Sequence, residues 1–253
     1  MKTKSFTLIE LLVVIVIIGI LAGVIIISTS SSIEKANLTK IDVFSNTIKN
    51  KLMLDMVGSW KLDEGAGTSI ADSWNNNNGV LTGAAIWRTG TDCISGSCLE
   101  FPGIGIVTIP YASPSTLNEL TVDLWFKVSS QDQSWEDFFK IGNDRIETGA
   151  NGSLGLWTNG YTHSNIWKIN EWFHLVYSSS ATLNQTSIYI NGNIIQNKAT
   201  YTNLPFVAGN IFLGVSDSTE TFNGFLDEVR VYNKYINADQ AKSLFLESIA
   251  SKQ

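Results

Sequence analysis

The feature that most constrains this chain is a run of 22 residues near its start, Phe6 to Ile27, interrupted only by Thr7 and Glu10. From Leu11 to Ile27 there is no charged or polar side chain. A helix needs about 20 apolar residues to span the hydrocarbon core of a bilayer. Lys2 and Lys4 precede the run and the next positive residue is Lys35, so the positive-inside bias leaves the N-terminus in the cytoplasm. Everything after residue 30 then lies outside. Glu10 is the anomaly. An acid at the bilayer centre costs about 2.5–3.5 kcal/mol on insertion scales, less near the interface, and so implies a function and a partner.

Three readings compete. A secretory signal peptide has a shorter, uninterrupted apolar region and a small-residue cleavage site, which the serines Ser28–Ser32 imitate. A plain membrane anchor fits the length but gains nothing from Glu10. The third reading uses the whole string: KSFTLIELLVVIVIIGILAG resembles the N-terminus of a type IV prepilin. The resemblance implies a leader over residues 1–5, removed by a prepilin peptidase between Ser5 and Phe6, and methylation of the new Phe6 amine. Glu10, fifth in the mature chain, then pairs with the terminal amine of a neighbouring subunit. An acid and an amine desolvated together cost far less than either alone. The family usually places Gly before the cut, where this chain has Ser5.

Beyond the apolar run, Ile33, Ala36, Ile41, Phe44, Ile48, Leu52 and Met56 recur at helical spacing among polar residues. One helix over 6–57 is expected, with a transmembrane half 6–28 and an amphipathic half 29–57, ended by Gly58. Such a rod is about 75 Å long at 1.5 Å per residue. Gly19, Gly23 and Ser28–Ser32 are weak helix formers within it; they mark either a kink or close packing between helices.

From residue 58 the texture changes to short strands separated by Gly and Asn turns, the mark of a β-sandwich. In LTVDLWFKV, Val122, Leu124, Phe126 and Val128 alternate with Asp123 and Lys127, the period of a half-buried strand. IYINGNII predicts a hairpin at Asn191-Gly192. NADQAKSLFL predicts a short helix capped by Asn237, with Gln240 three residues on. The phrases SWKLDEGAGTSIADSW, CLEFPGIGIVTIP, LTVDLWFKV, EWFHLVYSSS, IYINGNII and FNGFLDEVRVYNKYINADQAKSLF together resemble a laminin-G-like, concanavalin A-like jelly roll over residues 59–246. The expected class is therefore α+β: a long N-terminal helix, an all-β jelly-roll sandwich over 58–253 and a short C-terminal helix.

Cys93 and Cys98 are the only cysteines, and in an exported chain they predict a local disulfide. The formal charge of −6 and the absence of a basic patch exclude a dedicated nucleic-acid binder. The jelly-roll resemblance brings with it a calcium ion at the sandwich edge; matching the ADS and LDEV phrases, Asp72 and Asp227 are the candidate Ca2+ ligands. Carboxylates that hold turns by accepting backbone N–H bonds are the alternative. DSWNNNNG is not an EF-hand loop, because Trp74 occupies a ligand position and no Glu closes it. Trp125 and Trp172 are expected to pack structurally, whereas Trp157 and Trp167, flanked by Gly, Asn and Thr, are candidates for an exposed glycan-binding rim. No Glu-x-Asp-x-Glu strand motif, Gly-x-Ser-x-Gly, His-Glu-x-x-His or phosphate loop occurs, and His174 reads as structural, so no enzyme is expected.

The functional expectation is assembly rather than catalysis: a filament subunit that enters the inner membrane, is cut by prepilin peptidase, joins other pilin subunits and displays its head at the cell surface. The head's expected partner is an extracellular glycan or surface protein. A membrane-anchored or secreted lectin, and a type II secretion pseudopilin, are the competing readings.

Overall fold

The computed structural model describes residues 8–22, 47, 50–111, 116–130, 135–142, 144–156, 161–199, 206–207, 209–214 and 222–250. The chain divides into two compact units, Met1–Thr47 and Ile48–Gln253. In the first, residues 8–22 form helix α1, about 22 Å long at 1.5 Å per residue. Its apolar side chains are exposed on every side, from Leu8 to Leu21. A helix of that composition belongs in a membrane or a bundle. Among the described residues no helix is long and apolar enough to cross a membrane. The remainder of the expected span and most of the amphipathic half lie outside the described residues.

The second unit opens with helical residues 50–53 and then turns into strand β1 (Met56–Trp60). The expected helix thus ends before Met56, which already pairs with Tyr232. Leu52 and Met56 join a cluster with Val176, Tyr189, Tyr232 and Leu244, so the end of the amphipathic segment belongs to the head. Gly58 is not a helix stop. It sits within β1, where an added Cβ would stand 2.5 Å from the Trp60 ring.

Two antiparallel sheets make the sandwich. The first contains β4 (Ile86–Thr89), β5 (Ser97–Pro102), β8 (Glu119–Val128) and β13 (Trp172–Ser180), with β14 (Gln185–Ile190), β15 (Asn193–Ala199) and β18 (Asn223–Tyr232). Its order is β15-β14-β13-β8-β18-β5-β4, and β1 also pairs with β18. The second contains β2 (Ser69–Ile70), β3 (Gly79–Gly83), β6 (Gly105–Ile109) and β9 (Glu136–Ile141). It continues with β10 (Asp144–Gly149), β11 (Ser153–Leu156), β12 (Tyr161–His163) and β17 (Ile211–Gly214). Its order is β12-β11-β10-β9-β17-β6-β3-β2. A short ribbon pairs β7 (Thr116–Leu117) with β16 (Phe206–Val207).

The core lies between the sheets. Leu120, Val122, Leu124, Phe126 and Val128 of β8 point into it and meet Phe138, Phe139, Ile141 and Leu213 of the second sheet. The other face of β8 is not solvated as the alternation suggested. Asp123, Trp125 and Lys127 are also buried, because the C-terminal helix α2 (Ala238–Ala250) and the segment ending in Met56 cover much of that face. Phe245 of α2 packs on the rings of Trp125 and His174. Helix α2 starts as its sequence predicts: the Gln240 N–H donates to Asn237 Oδ1 at 3.1 Å, and the Asn237 N–H donates to Gln240 Oε1 at 3.0 Å. The β14–β15 hairpin turns at Asn191 and Gly192, with φ of 50° and 71°.

Strand β18 changes partner midway. Residues 223–226 pair with β5, residues 229–232 pair with β1, and a bulge in the pairing with β8, between Asp227 and Arg230, marks the change. The free edge of β1 is closed by side chains. Asp72 Oδ1 accepts from the Ser59 N–H at 2.9 Å, and the Asn75 and Asn77 amides donate to the Val57 carbonyl at 2.8 and 3.1 Å. The Trp60 indole in turn donates to the Asn77 carbonyl at 2.8 Å. The DSWNNNN segment is a clamp on β1.

Candidate binding face

Two faces of the sandwich point away from the core, and they differ. On the first sheet, Asp123 lies at the centre of a buried ion cluster. Its Oδ1 is 2.6 Å from His174 Nε2 and its Oδ2 is 2.9 Å from Arg230 Nε. Register places the three residues on adjacent strands β13, β8 and β18. Burial works to raise the Asp123 carboxyl, but Arg230 and then His174 outweigh it and hold it below its ordinary value. Nearby, Lys127 Nζ sits 3.8 Å over the Phe225 ring and 5.0 Å over the Trp172 ring, and donates to the Asp92 carbonyl at 3.0 Å. Desolvation pushes the Lys127 amine down, against the pull of Asp92 and Glu100. This face is committed to holding the fold. His174 is structural, as its sequence context predicted.

The outer face of the second sheet carries no helix among the described elements. Strict alternation aims Val80, Thr108, Phe212, Lys140 and Arg145 outward, between the core residues Leu81, Val107, Leu213, Phe139 and Ile146. Register sets them opposite one another, Val80 to Thr108 to Phe212 to Lys140 to Arg145. Behind Arg145, Asp137 opposes Glu147 across β9 and β10, and the Arg145 guanidinium reaches Asp137 Oδ2 at 3.0 Å. At the same end the half-buried Trp135 lies over two glycines. A Cβ on Gly149 or Gly155 would stand 2.5 or 2.7 Å from its ring. Only glycine permits that approach.

The residues singled out from sequence fall elsewhere. Glu10 lies on α1, while Ser5, Phe6 and Trp157 lie outside the described residues. Trp167 is not on an exposed rim. It is 4 % exposed, belongs to the core cluster, and donates its indole N–H to the Ser153 carbonyl at 2.7 Å. Flanking polar residues suggested exposure, but a single indole hydrogen bond lets the ring turn inward. Cys93 and Cys98 form the expected disulfide.

Asp72 and Asp227 do not fit a calcium site. Asp72 accepts backbone N–H bonds from Ser59, Trp74 and Asn77, and Asp227 accepts them from Ile94, Ser95 and Glu228. A carboxylate ringed by donors is poorly arranged to coordinate a cation that takes six to eight oxygens. Among the described residues no three metal-binding side chains come together. Asp227 instead holds the disulfide loop against the β18 bulge. Trp135, Lys140, Arg145 and Phe212 were missed in the sequence. Strand β10 reads DRIETG, too polar to show the alternation of a strand.

With this geometry in place, the family profile described as the concanavalin A-like lectin/glucanases superfamily matches residues 103–242. The chain belongs to that superfamily. This lectin-like member carries at residues 1–26 a match to the prokaryotic N-terminal methylation motif, so the prepilin-type start and the laminin-G-like head occur in one chain. No curated protein matches the sequence. Among solved structures, domain 4 of AbnA, a GH43 extracellular arabinanase from Geobacillus stearothermophilus in complex with arabinotriose, is 22 % identical over 75 % of this chain and 98 % of that one, with a TM-score of 0.59. The Trypanosoma rangeli sialidase is 13 % identical over 77 % of this chain, which spans 33 % of the sialidase, with a TM-score of 0.61. A structure of botulinum neurotoxin type C, described as depending on two ganglioside molecules for cell entry, is 12 % identical over 79 % of this chain and 53 % of that one, at a TM-score of 0.60. At these identities the likeness is one of fold.

Proposed function

We propose that this chain is a type IV pilin-like filament subunit, processed by a prepilin peptidase, whose lectin-like head captures a glycan at the cell surface. The observation that carries the reading is the union of a methylation motif at residues 1–26 with a lectin-like sandwich. Lys2 and Lys4 orient insertion, cleavage after Ser5 frees the Phe6 amine, and Glu10 neutralises that amine on a neighbouring subunit while α1 bundles with its copies. Two structural neighbours support a glycan partner: one holds arabinotriose and another is described with gangliosides.

The head is a binder rather than an enzyme. Glycosidases need two carboxylates set across the scissile bond. Asp137 and Glu147 are opposed in register, but at 0 % and 3 % exposure neither meets a substrate, and Asp137 is held by Arg145.

Intact-mass and N-terminal fragment analysis of the protein from its native membrane or surface fraction tests the filament reading. A chain beginning at Phe6 with one added methyl group is expected. A chain beginning at Met1, or near Ser30, refutes it and leaves an anchored or secreted lectin.

A further inference from the structure

We infer that the neck of the head, residues 50–56, carries a knob and a pocket through which one copy of this chain grips the next. Leu54 of one copy is the knob; the pocket lies between the neck, β18 and α2 of its neighbour. The inference rests on the filament-subunit reading and adds a contact surface outside the α1 bundle.

The knob is built by the turn that follows the helical residues 50–53. The Asp55 N–H donates to the Leu52 carbonyl at 3.1 Å, and the Asn233 N–H donates to the Asp55 carbonyl at 2.8 Å. The turn is thereby pinned to the chain between β18 and α2. Leu52 is 2 % exposed, in the cluster with Tyr232 and Leu244, whereas Leu54 is 86 % exposed. No large apolar side chain described in the second unit is more exposed. A lone exposed leucine is ordinary on a protein surface. One held out by a pinned turn has its backbone ordered in advance, so covering it costs little further ordering.

The pocket belongs to the same neck. Leu52, Met53 and Met56, with Tyr232 of β18 and Leu244 of α2, give it an apolar wall, and Arg230 and Glu247 complete it. Its volume is about 40 Å³. At about 10–15 Å³ per water-sized sphere that is room for about three, enough for the end of one branched aliphatic side chain. Met53 and Met56 are unbranched and polarizable, so the wall can reshape around a guest. The copy's own Leu54 points away from it into solvent.

The occupant is a second copy. The neck is the first part of the head in chain order after α1, so copies bundled through α1 carry their necks as near neighbours. Charge agrees with this. Exposed Lys51 stands one helical turn before Leu54, and Glu247 lies on the pocket wall, so an incoming neck brings a cation towards a carboxylate. An anionic lipid surface would call for a cluster of cations, whereas the neck sets Lys51 beside Asp55. One side chain in one pocket buries far less than the roughly 1,200–2,000 Å² of a free-standing interface. The contact therefore acts on copies that α1 already holds together, where the local concentration is high. Because knob and pocket are unlike patches, the contact repeats from copy to copy, as a filament requires.

The test uses the full chain in filament-forming cells. Leu54→Asp is expected to be cleaved and methylated like the wild type by mass spectrometry, and to keep its melting temperature in detergent. Its incorporation into sheared filaments is expected to fall at least tenfold, with Leu54→Met restoring it to within twofold. A second measurement does not depend on that variant. Subunits carrying Leu54→Cys and Glu247→Cys, with different tags, are expressed together; the native cysteines are already joined and do not compete. A disulfide linking the two tags is expected, and neither variant alone should give a linked pair. Wild-type incorporation of Leu54→Asp, or the absence of the mixed cross-link, overturns the knob-and-pocket contact, while a chain beginning at Phe6 keeps the filament reading. A chain that begins at Met1 and enters no filament overturns that reading and this inference with it.

Discussion

Replacing Asp123 by alanine removes the carboxylate on which three strands converge. His174 is fully buried, and the Arg230 side chain is 14 % exposed. Deleting one partner of a buried pair costs about 3–5 kcal/mol, because the other charge is left desolvated. Glu228 and Glu247 also act on Arg230, which places the expectation near the lower end, about 3 kcal/mol. For a domain of this size 1 kcal/mol corresponds to about 2–4 °C, so melting falls by about 6–12 °C. Urea unfolding followed by near-ultraviolet circular dichroism measures it, with the midpoint lowered and the slope unchanged. The pH dependence follows from the direction of the shift. A carboxyl held below its ordinary value of 3.8 contributes stability above that pH and loses it as the pH falls further. The gap between wild type and variant should therefore persist at pH 5 and narrow below pH 3.8. Replacing all three residues by apolar ones of similar volume should recover much of the loss. A single-variant change below about 1 kcal/mol would show that the cluster does not hold the sheet, and would refute the argument.

Three further outcomes are expected. Glu10→Ala leaves cleavage and methylation intact by mass spectrometry but abolishes incorporation into filaments; normal filament yield by electron microscopy would remove the registration role. Stripping divalent cations with EDTA shifts the melting temperature of the head by less than about 1 °C, whereas a ligand present at a hundredfold its Kd would add about 2.7 kcal/mol, so a rise of several degrees on adding calcium would place an ion in the fold. Replacing Cys93 and Cys98 by serine costs about 2 kcal/mol, the value for closing so short a loop, read from urea midpoints with and without reductant.

Much of the fold was legible because local chemistry and tertiary demand agree. The Asn237–Gln240 box and the Asn191-Gly192 turn each specify their own geometry, and the structure keeps both. The β8 alternation announced its core face correctly. It could not announce that Asp123 and Trp125 would be covered from behind, because the covering helix α2 lies more than a hundred residues away. The same limit explains the candidate face. Trp135 owes its position to two glycines on different strands, and Arg145 and Glu147 sit on a strand whose polar sequence hides its period. Trp167 failed in the opposite direction: its neighbours in sequence are polar, but its neighbours in space are the core.

The way β1 is built has a mechanical consequence. It is the first strand after the segment that leads from the N-terminal helix, so a pull on the chain from that side, once it has freed Leu52 from its cluster, reaches the sheet through Met56. A pull along the strand axis must slide β1 past β18, straining the backbone pairs from Met56–Tyr232 to Trp60–Val229 together rather than one at a time. The Asn75 and Asn77 amides and the Asp72 carboxylate grip its other edge, and the fully buried Trp60 is the plug that must be drawn from the core. A strand held in shear between a neighbour and a side-chain clamp resists extension far better than one that can be peeled, and the asparagine run that looks like filler in the sequence is half of that grip.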